Sequence, residues 1–410
     1  NGAEDVRAGA PRGKGKRREV DMGGQVDLAR IGEGIGETMR LYRLQRVAAA
    51  RGEVSVVEEQ AGPSPFGDAF GDPGAILVVD ETGDVKKGTQ SVGVQRQYSG
   101  TAGRIENSQV AVYLTYAAPR GHALIDRALY LPKSWTDDSQ RCDHAGIPQQ
   151  DRDFATKPTL AVSLINRAVA AGVPAGWVAG DEVYGADPRL RAAVRDHGLG
   201  YVLAIAANRR VPTGAGPIRV DALPALIPTH AWQTHSAGAG AHGPRLYSWA
   251  WFRLLAEDDT DTGVHHLLIR RNDSTGEHAY LRCYSPRPVP LRTLVAVAGQ
   301  RWRIEESFQA AKGLVGLDQH QVRRWTSWYR WTTLAMLAHA FLAVTTAIER
   351  DTTPTPAGLI ALTVNEFRRL FDALLLTTNQ TITSLLAWSR WRRRHQYRAR
   401  VSHYRRRQNQ

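Results

Sequence analysis

The chain has 410 residues, enough for two or three domains with hydrophobic cores, and 42% of its residues are hydrophobic, so most of it is expected to fold. Its formal net charge of +13 indicates a polyanionic partner, and no apolar run approaches the roughly 18 residues of a membrane-spanning helix, which favours nucleic acid over a membrane. With only Cys142 and Cys283, neither a disulfide framework nor a zinc finger is available, and we expect a cytoplasmic protein.

Residues 1–72 have the least regular sequence. Residues 1–24 are rich in glycine and basic residues and show no apolar periodicity, which predicts disorder. One helix is expected around 37–50, and no helix-turn-helix pattern is found. The folded core is therefore predicted to begin near residue 73.

A run of five apolar residues, 75–79, predicts a strand that is buried on both faces. The run stops at Asp80, and a basic turn that contains Lys86 and Lys87 follows. A carboxylate on the last residue of a buried strand is held rigidly, which suits a ligand of a divalent cation. The commoner role of an isolated acid in this position is to open a turn.

The same construction returns one hundred residues later. After strands predicted at 92–98, 109–116 and 123–131 and a helix at 158–171, a second buried strand, 176–180, ends at Asp181. A helix to about His197 and a strand at 200–206 follow. The matching form of the two sites favours a shared site for Asp80 and Asp181, although two ordinary turn acids would give the same pattern.

Residues 211–290 alternate short runs rich in Trp, Tyr, Val and Leu with turn residues. This texture predicts a small β subdomain that is inserted between two parts of the main fold and does not continue its sheet. His265 and His266 lie in one of these runs. Because no third ligand has usable spacing, we interpret the pair as structural.

Residues 291–313 are predicted to form one helix that ends at Gly313. Arg301, Glu305, Phe308 and Lys312 are spaced by 4, 3 and 4 residues and therefore share one face of it. This face places one carboxylate between two cations, an arrangement that suits phosphate, although a plain surface ion pair has the same spacing.

Basic residues interleaved with aromatic residues follow this helix and include Arg323 and Arg324, as in surfaces that track a nucleic-acid backbone. An apolar core helix is predicted at 332–348. Residues 388–410 contain nine arginines and no Lys, Asp or Glu, which predicts a solvated arm that adds non-specific DNA affinity.

The order of these features resembles a DDE transposase of bacterial insertion sequences, an endonuclease superfamily. The resemblance rests on Asp80, Asp181, the β-rich insertion and the helix Arg-Trp-Arg-Ile-Glu-Glu-Ser-Phe-Gln-Ala-Ala-Lys over 301–312. It runs from about residue 71 to 347. More narrowly, the chain resembles the branch of this family that has a β insertion before the catalytic Glu and a Tyr-Arg-Glu-Lys signature around it. Ala298 stands where that signature has its Tyr, so the contact of that side chain is not expected here.

The resemblance implies an α/β (α+β), RNase H-like mixed sheet with flanking helices, interrupted by an all-β insertion. It implies that Asp80, Asp181 and Glu305 are catalytic and hold two Mg²⁺ ions, which Mn²⁺ could replace. Glu306 competes for the third acid, but Glu305 alone has the signature spacing to Arg301 and Lys312. The predicted contacts to DNA come from basic residues along the chain: Lys86, Lys87, Arg301, Lys312, Arg323 and Arg324.

The function implied is Mg²⁺-dependent DNA transposition, a recombination reaction that cuts and joins phosphodiester bonds at insertion-sequence ends. The partner is double-stranded DNA, both transposon ends and target, bound by a homodimer in the cytoplasm at the nucleoid, without a membrane. Two alternatives remain: an RNase H-like nuclease that cuts without joining, and an inactive DNA-binding transposon remnant. The predicted parts are an N-terminal region, the two halves of the core around the insertion, and a C-terminal linker, helix and basic tail: 1–72, 73–210, 211–290, 291–350 and 351–410.

Overall fold

The structure is a computed structural model that describes residues 70–100, 103–240, 243–256, 262–373 and 382–408. The helix expected around 37–50 lies outside these residues. The first half of the described chain contains six strands: β1 (Ile76–Val85), β2 (Gln95–Ser99), β3 (Arg104–Ala118), β4 (Gly121–Leu129), β5 (Trp177–Gly180) and β6 (Gly200–Ile205).

Strand β1 is longer than the apolar run that predicts it. It pairs with β3 along its whole length, from Ile76 opposite Ala117 to Val85 opposite Ser108. Asp80 lies opposite Tyr113 in the middle of this ladder, so the prediction that the strand ends at Asp80 is wrong. Backbone pairing with a long partner strand extends β1 beyond the point where its side chains cease to be apolar.

Strands β1 and β3–β6 form the core of the sheet in the order β4-β3-β1-β5-β6. The pairs β4–β3 and β3–β1 are antiparallel, whereas β1–β5 and β5–β6 are parallel. An antiparallel meander followed by two parallel strands is the RNase H-like mixed sheet that the resemblance implies. Strand β2 pairs antiparallel with the first residues of β3, Arg104–Ser108.

Helices connect these strands and pack on both faces of the sheet. They are α1 (Lys133–Thr136), α2 (Ser139–Ala145), α3 (Lys157–Ala170), α4 (Glu182–Gly185) and α5 (Pro188–Asp196). Helices α1 and α2 pack on one face, and α3 and α5 pack on the other. Leu164 of α3 and Leu190 of α5 are fully buried in one core with Leu77 and Val79 of β1. The alternate residues of β1, Ile76 and Val78, belong to the core on the other face. The strand is therefore buried on both sides, as its apolar run predicts.

The insertion is rich in strands but is continuous with the main sheet. It contains β7 (Arg210–Thr213), β8 (Gly216–Arg219), β9 (Gln233–Gly240), β10 (Gly243–Arg253), β11 (Val264–Arg271) and β12 (His278–Ser285), with short 3-10 turns at 220–222, 224–226 and 229–231. Strand β12 pairs antiparallel with β6, from Tyr280 opposite Ile205 to Tyr284 opposite Tyr201. The prediction of a unit that does not continue the main sheet is therefore wrong, since β12, β11, β10 and β9 extend it into a ten-stranded sheet.

The second half of the core is helical: α6 (Leu291–Gln300), α7 (Trp302–Val315), α8 (Trp325–Thr352), α9 (Val364–Phe371) and α10 (Ile382–Gln408). The single helix expected over 291–313 is thus two helices that meet at Arg301, whose backbone stays helical at φ −51° and ψ −35°. The second ends at Val315 and is capped by Gly316, with φ 69°, rather than ending at Gly313. Glycine reaches this left-handed conformation without steric cost, which favours it as the helix cap.

Helix α8 is the core helix that the sequence predicts, although it is longer than residues 332–348. By length and composition it is apolar enough to cross a membrane, but 61% of that apolar window is buried inside the protein. Trp328 and Met336 belong to the same core as residues of α6 and α7, whereas Ala340 and Ala343 belong to the core that contains residues of α3 and α5. The helix therefore joins the two cores.

Candidate active site

Asp80 of β1 lies beside Asp181, which directly follows the neighbouring parallel strand β5. The register of β1 and β5 pairs Val79 with Gly180, so each aspartate is the next residue along the chain. The two carboxyl groups interact, because the charge of Asp181 contributes to the raised pKa of Asp80. The structure brings these two predicted site residues together.

The backbone holds one oxygen of each aspartate. Asp80 Oδ1 accepts a hydrogen bond from the Glu81 N–H at 2.8 Å. Asp181 Oδ1 accepts one from the Val183 N–H at 2.9 Å and caps the N-terminus of α4. Asp181 therefore has the turn-forming role of an ordinary acid as well as its place beside Asp80.

Glu81 is a third acid at this site that the sequence reasoning missed. Its carboxylate accepts hydrogen bonds from Lys157 Nζ and from the Tyr184 hydroxyl, both at 2.6 Å. Its charge raises the pKa of both Asp80 and Asp181. Two features of the sequence could have indicated this role of Glu81: its position directly after Asp80, and Tyr184 three residues after Asp181.

The neighbouring carboxyl groups of this site resist being ionised together. Burial, then Asp181, then Glu81 raise the pKa of Asp80 to about 7, against the lowering effects of the Glu81 N–H and Arg301. Burial and then Glu81 also raise the pKa of Asp181. Like charges brought out of water favour the protonated form unless a cation compensates them.

Arg301 is the cation that links the three predicted acids. Its guanidinium lies 3.6 Å from Glu305 Oε1, and its charge lowers the pKa of Asp80, Asp181 and Glu305. Burial acts in the opposite direction and raises the pKa of Glu305. Within the described part of the chain, no group of three His, Cys, Asp or Glu side chains lies close enough to hold a metal ion. The predicted convergence of all three carboxylates is therefore not observed, because Glu305 pairs with Arg301.

Glu306, the competitor for the third acid, belongs to a different network. It accepts a hydrogen bond from Arg303 Nη1 at 2.7 Å and lies 3.4 Å from His122 Nε2. Hydrogen bonding to His122, and then to Arg303, lowers the pKa of Glu306 to about 2. The other ring nitrogen of His122 is 2.8 Å from Ser307 Oγ. These contacts tie α7 to the start of β4.

Lys312 reaches β1 further along the same helix face. Its Nζ donates to Thr82 Oγ1 at 2.9 Å and lies 3.0 Å from Asp84 Oδ1. Asp80, Thr82 and Asp84 alternate along β1 and so share one face of the sheet. Between the two ends, Phe308 packs edge-on against Tyr113 with ring centroids 5.4 Å apart. The helix face predicted from the spacing of its residues therefore lies along β1.

The other predicted DNA-contacting residues differ in access. Lys86 is only 2% exposed, and its Nζ donates to the His320 carbonyl oxygen at 2.8 Å, so this placement does not support a contact to DNA. Lys87, Arg323 and Arg324 are exposed. Lys86 and Lys87 directly follow β1, and only Lys86 turns into the protein.

His265 and His266 lie in the core of the insertion. His266 stacks on Trp251 with ring centroids 4.5 Å apart, and the His265 ring is 5.0 Å from that of Tyr284. Burial lowers the pKa of His266. These ring contacts agree with the structural interpretation of the pair.

Comparisons with known proteins show similarity in the first half of the described core. Residues 65–224 match a family model described as "DDE superfamily endonuclease". A stretch of 139 residues is 32% identical to a probable transposase for insertion sequence element IS701 from Microchaete diplosiphon. That match covers 33% of this chain and 33% of the relative, so the comparison spans only a third of the curated protein.

A solved structure gives a weaker likeness over more of the chain. The piggyBac transposase in its synaptic complex with hairpin DNA matches 79% of this chain and 59% of its own, with a TM-score of 0.37 and 11% identity. A likeness at this level supports no argument about function. The family match includes Asp80 and Asp181, whereas Glu305 lies beyond it.

Proposed function

We propose that this chain, whose residues 65–224 match a family model of DDE superfamily endonucleases, is an insertion-sequence transposase that cuts and joins DNA phosphodiester bonds. The observation that carries the proposal is that Asp80 and Asp181 directly follow Val79 and Gly180, which are paired in register on the parallel strands β1 and β5. The raised pKa of Asp80 adds support, because a charge conflict of this kind is typical of functional sites.

The acids of the site fit a divalent cation by their chemistry. Carboxylate oxygens are ligands that Mg²⁺ prefers, and a cation would relieve the repulsion between Asp80 and Asp181. These two residues would hold the metal, with Glu305 as the third ligand once it leaves Arg301. Bound there, two Mg²⁺ ions, or Mn²⁺, would supply activation of a water or a 3′-hydroxyl and stabilisation of the leaving oxygen.

The residues of the chain divide the remaining work. Lys157 and the Tyr184 hydroxyl both donate to the Glu81 carboxylate. The bond from Tyr184 holds helix α4, which follows Asp181, against β1 next to Asp80. Arg301 would exchange its contact with Glu305 for a phosphate oxygen of DNA, which a guanidinium can bind in a bidentate manner. The exposed Lys87, Arg323 and Arg324 would contact flanking phosphates, which position the duplex without reading its sequence.

Asp80→Asn and Asp181→Asn test this proposal. Each should abolish Mg²⁺-dependent nicking of a duplex that carries insertion-sequence ends, while DNA binding stays equal or becomes tighter because a charge that faces phosphate is removed. Asp196→Asn, the same change at an exposed acid in the last turn of α5, is the control and should nick normally. Equal nicking by all three variants would refute the assignment.

The products distinguish the proposal from its alternatives. Strand-transfer products in addition to nicks indicate a transposase. Nicks without joining would indicate a nuclease, and DNA binding without nicks at any Mg²⁺ or Mn²⁺ concentration would indicate an inactive remnant. The joining assay therefore needs a labelled target duplex together with the cut end.

A further inference from the structure

The C-terminal basic segment is a fixed helix rather than a loose arm. Residues 382–408 form α10, which packs on α9 and β10. Arg392 makes two hydrogen bonds to the buried Glu366, at 2.6 and 2.9 Å, and Arg393 Nε donates to the Ile360 carbonyl oxygen at 3.0 Å. The direction of the helix is therefore set by the body of the protein.

Four arginines form a stripe on the side of α10 that faces away from the body. Arg390, Arg394, Arg398 and Arg405 are spaced by 4, 4 and 7 residues, which places them within an arc of about 80° on a helix of 3.6 residues per turn. All four are exposed. The buried Leu385 and Ser389, and the anchored Arg392, lie on the opposite side. We call these four residues the arginine stripe.

The stripe has no stabilising role within its own helix. Residues 382–408 contain no Asp or Glu, so the arginines at i and i+4 repel one another without a partner in the helix. A polyanion would remove this repulsion. The charge and its regular spacing on the exposed face therefore indicate a ligand with regularly repeated negative groups.

We propose that the arginine stripe binds double-stranded DNA by lying in its major groove and contacting phosphates. An α-helix with its side chains is about 10–12 Å wide, and the major groove of B-form DNA is about 12 Å wide. The stripe spans about 22 Å at a rise of 1.5 Å per residue, long enough to meet several phosphates. A helix on a membrane surface instead needs a free apolar face opposite its basic one. Here the side opposite the stripe is buried against the body in the first half of α10, at Leu385 and Ser389, and is polar in the second half, at Gln396, Arg400 and His403.

The inference rests on the proposed function only for its choice of DNA, since the stripe is separate from the acids of the sheet. The test compares the full chain with Arg394→Ala/Arg398→Ala/Arg405→Ala and with a control, Arg189→Ala/Arg209→Ala/Arg287→Ala. The control removes three exposed arginines outside α10, so both variants have the same net charge. Binding to a 20-base-pair duplex is measured across a salt series.

The stripe variant should lose about 2–3 units from the slope of log affinity against log salt, because each lost phosphate contact contributes about 0.9. The control should lose less than about one unit. Replacement of the three stripe arginines by lysine should retain the slope, since charge and not helix packing carries the contact. Equal loss in both alanine variants would overturn the proposal.

Two further ligands test the choice of partner. An A-form RNA duplex has a deep, narrow major groove, so its binding should be weaker and should not depend on the stripe. Vesicles of phosphatidylserine and phosphatidylcholine should likewise bind both alanine variants equally. If the stripe variant loses RNA or vesicle binding while its DNA slope is unchanged, the partner is wrong.

Nicking at saturating DNA separates this inference from the proposed function. The stripe variant should nick normally once bound, since Asp80 and Asp181 are intact. Loss of the slope without nicking by any form would leave the stripe as a DNA contact and reject the transposase. Nicking with an unchanged slope would reject the stripe alone.

Discussion

Asp80 and Asp84 lie on the same face of β1, but their carboxylates differ in how their charge is compensated. Asp84 is 10% exposed at its side chain and has a dedicated cation, Lys312, 3.0 Å away. Asp80, four residues earlier on the same face, is next to Asp181 and Glu81, and among the described residues Arg301 is the cation whose charge lowers its pKa. One end is complete within the protein, and the other is left short of positive charge.

This difference distinguishes structure from function along a single strand. A carboxylate with its own lysine stabilises the attachment of α7 to the sheet. A pair of carboxylates with raised pKa values lowers stability and persists where a ligand supplies the missing charge. Removal of charge at Asp80 and at Lys312 should therefore have opposite effects on the stability of the fold.

The largest effect is expected from the third acid. Glu305→Gln should reduce nicking by roughly 100-fold or more, the order expected when a charge-stabilising group is lost from a site. Glu306→Gln should nick nearly normally, because Glu306 is engaged by Arg303 and His122. Single-turnover nicking at saturating DNA measures both. A larger loss in the Glu306 variant would assign the third acid to that position.

Asp80→Asn should stabilise the metal-free protein at high pH. The folded-state pKa of Asp80, about 7, lies above its unfolded value of 3.8, so its contribution to stability is present below pH 3.8 and is lost as the pH rises through 7. Asparagine does not ionise, so the variant should exceed the wild type by up to about 4 kcal/mol at pH 8, and by much less at pH 4.

Denaturant unfolding in the presence of a chelator at both pH values measures this difference. Added Mg²⁺ should narrow it at pH 8 by stabilising the wild type alone, since a ligand bound by the folded state raises its stability. A difference that is independent of pH would show that Asp80 is not under charge stress.

Lys312→Ala should destabilise the fold by about 1–3 kcal/mol, because it leaves the buried carboxylate of Asp84 without its cation. Lys87→Ala is the matched control, an exposed lysine close in sequence to Asp84, and should change stability by less than about 0.5 kcal/mol. Urea unfolding at pH 7 compares the two. If both variants matched the wild type, the ion pair would be of no structural value.

The sequence predicts features that depend on local pattern. The apolar run before Asp80 and the run before Asp181 indicate buried strands, and the four-residue spacing of Arg301 and Glu305 gives the side-chain pair that the structure shows. These features need only the periodicity of a strand or helix. The family resemblance implies the mixed sheet with flanking helices, which the structure confirms.

Features that depend on distant partners could not be predicted. Lys312 and Thr82 are 230 residues apart, and nothing in either segment specifies that contact. Strand β12 has the pattern of a strand, but that pattern does not reveal that β6 is its partner. The contacts of Glu81 with Lys157 and Tyr184 likewise join three separate segments. Local propensity gives the elements, and the packing of the whole chain decides their neighbours.

The pairing of β12 with β6 also protects the protein against self-association. Without the insertion, β6 would be the edge of the core sheet, with a row of unpaired N–H and C=O groups next to an apolar strand of sequence Gly-Tyr-Val-Leu-Ala-Ile. Such an edge is a template for strands of other molecules and a cause of aggregation. The insertion therefore covers the edge of β6. We expect a chain from which the insertion is removed to precipitate rather than fold as a smaller protein.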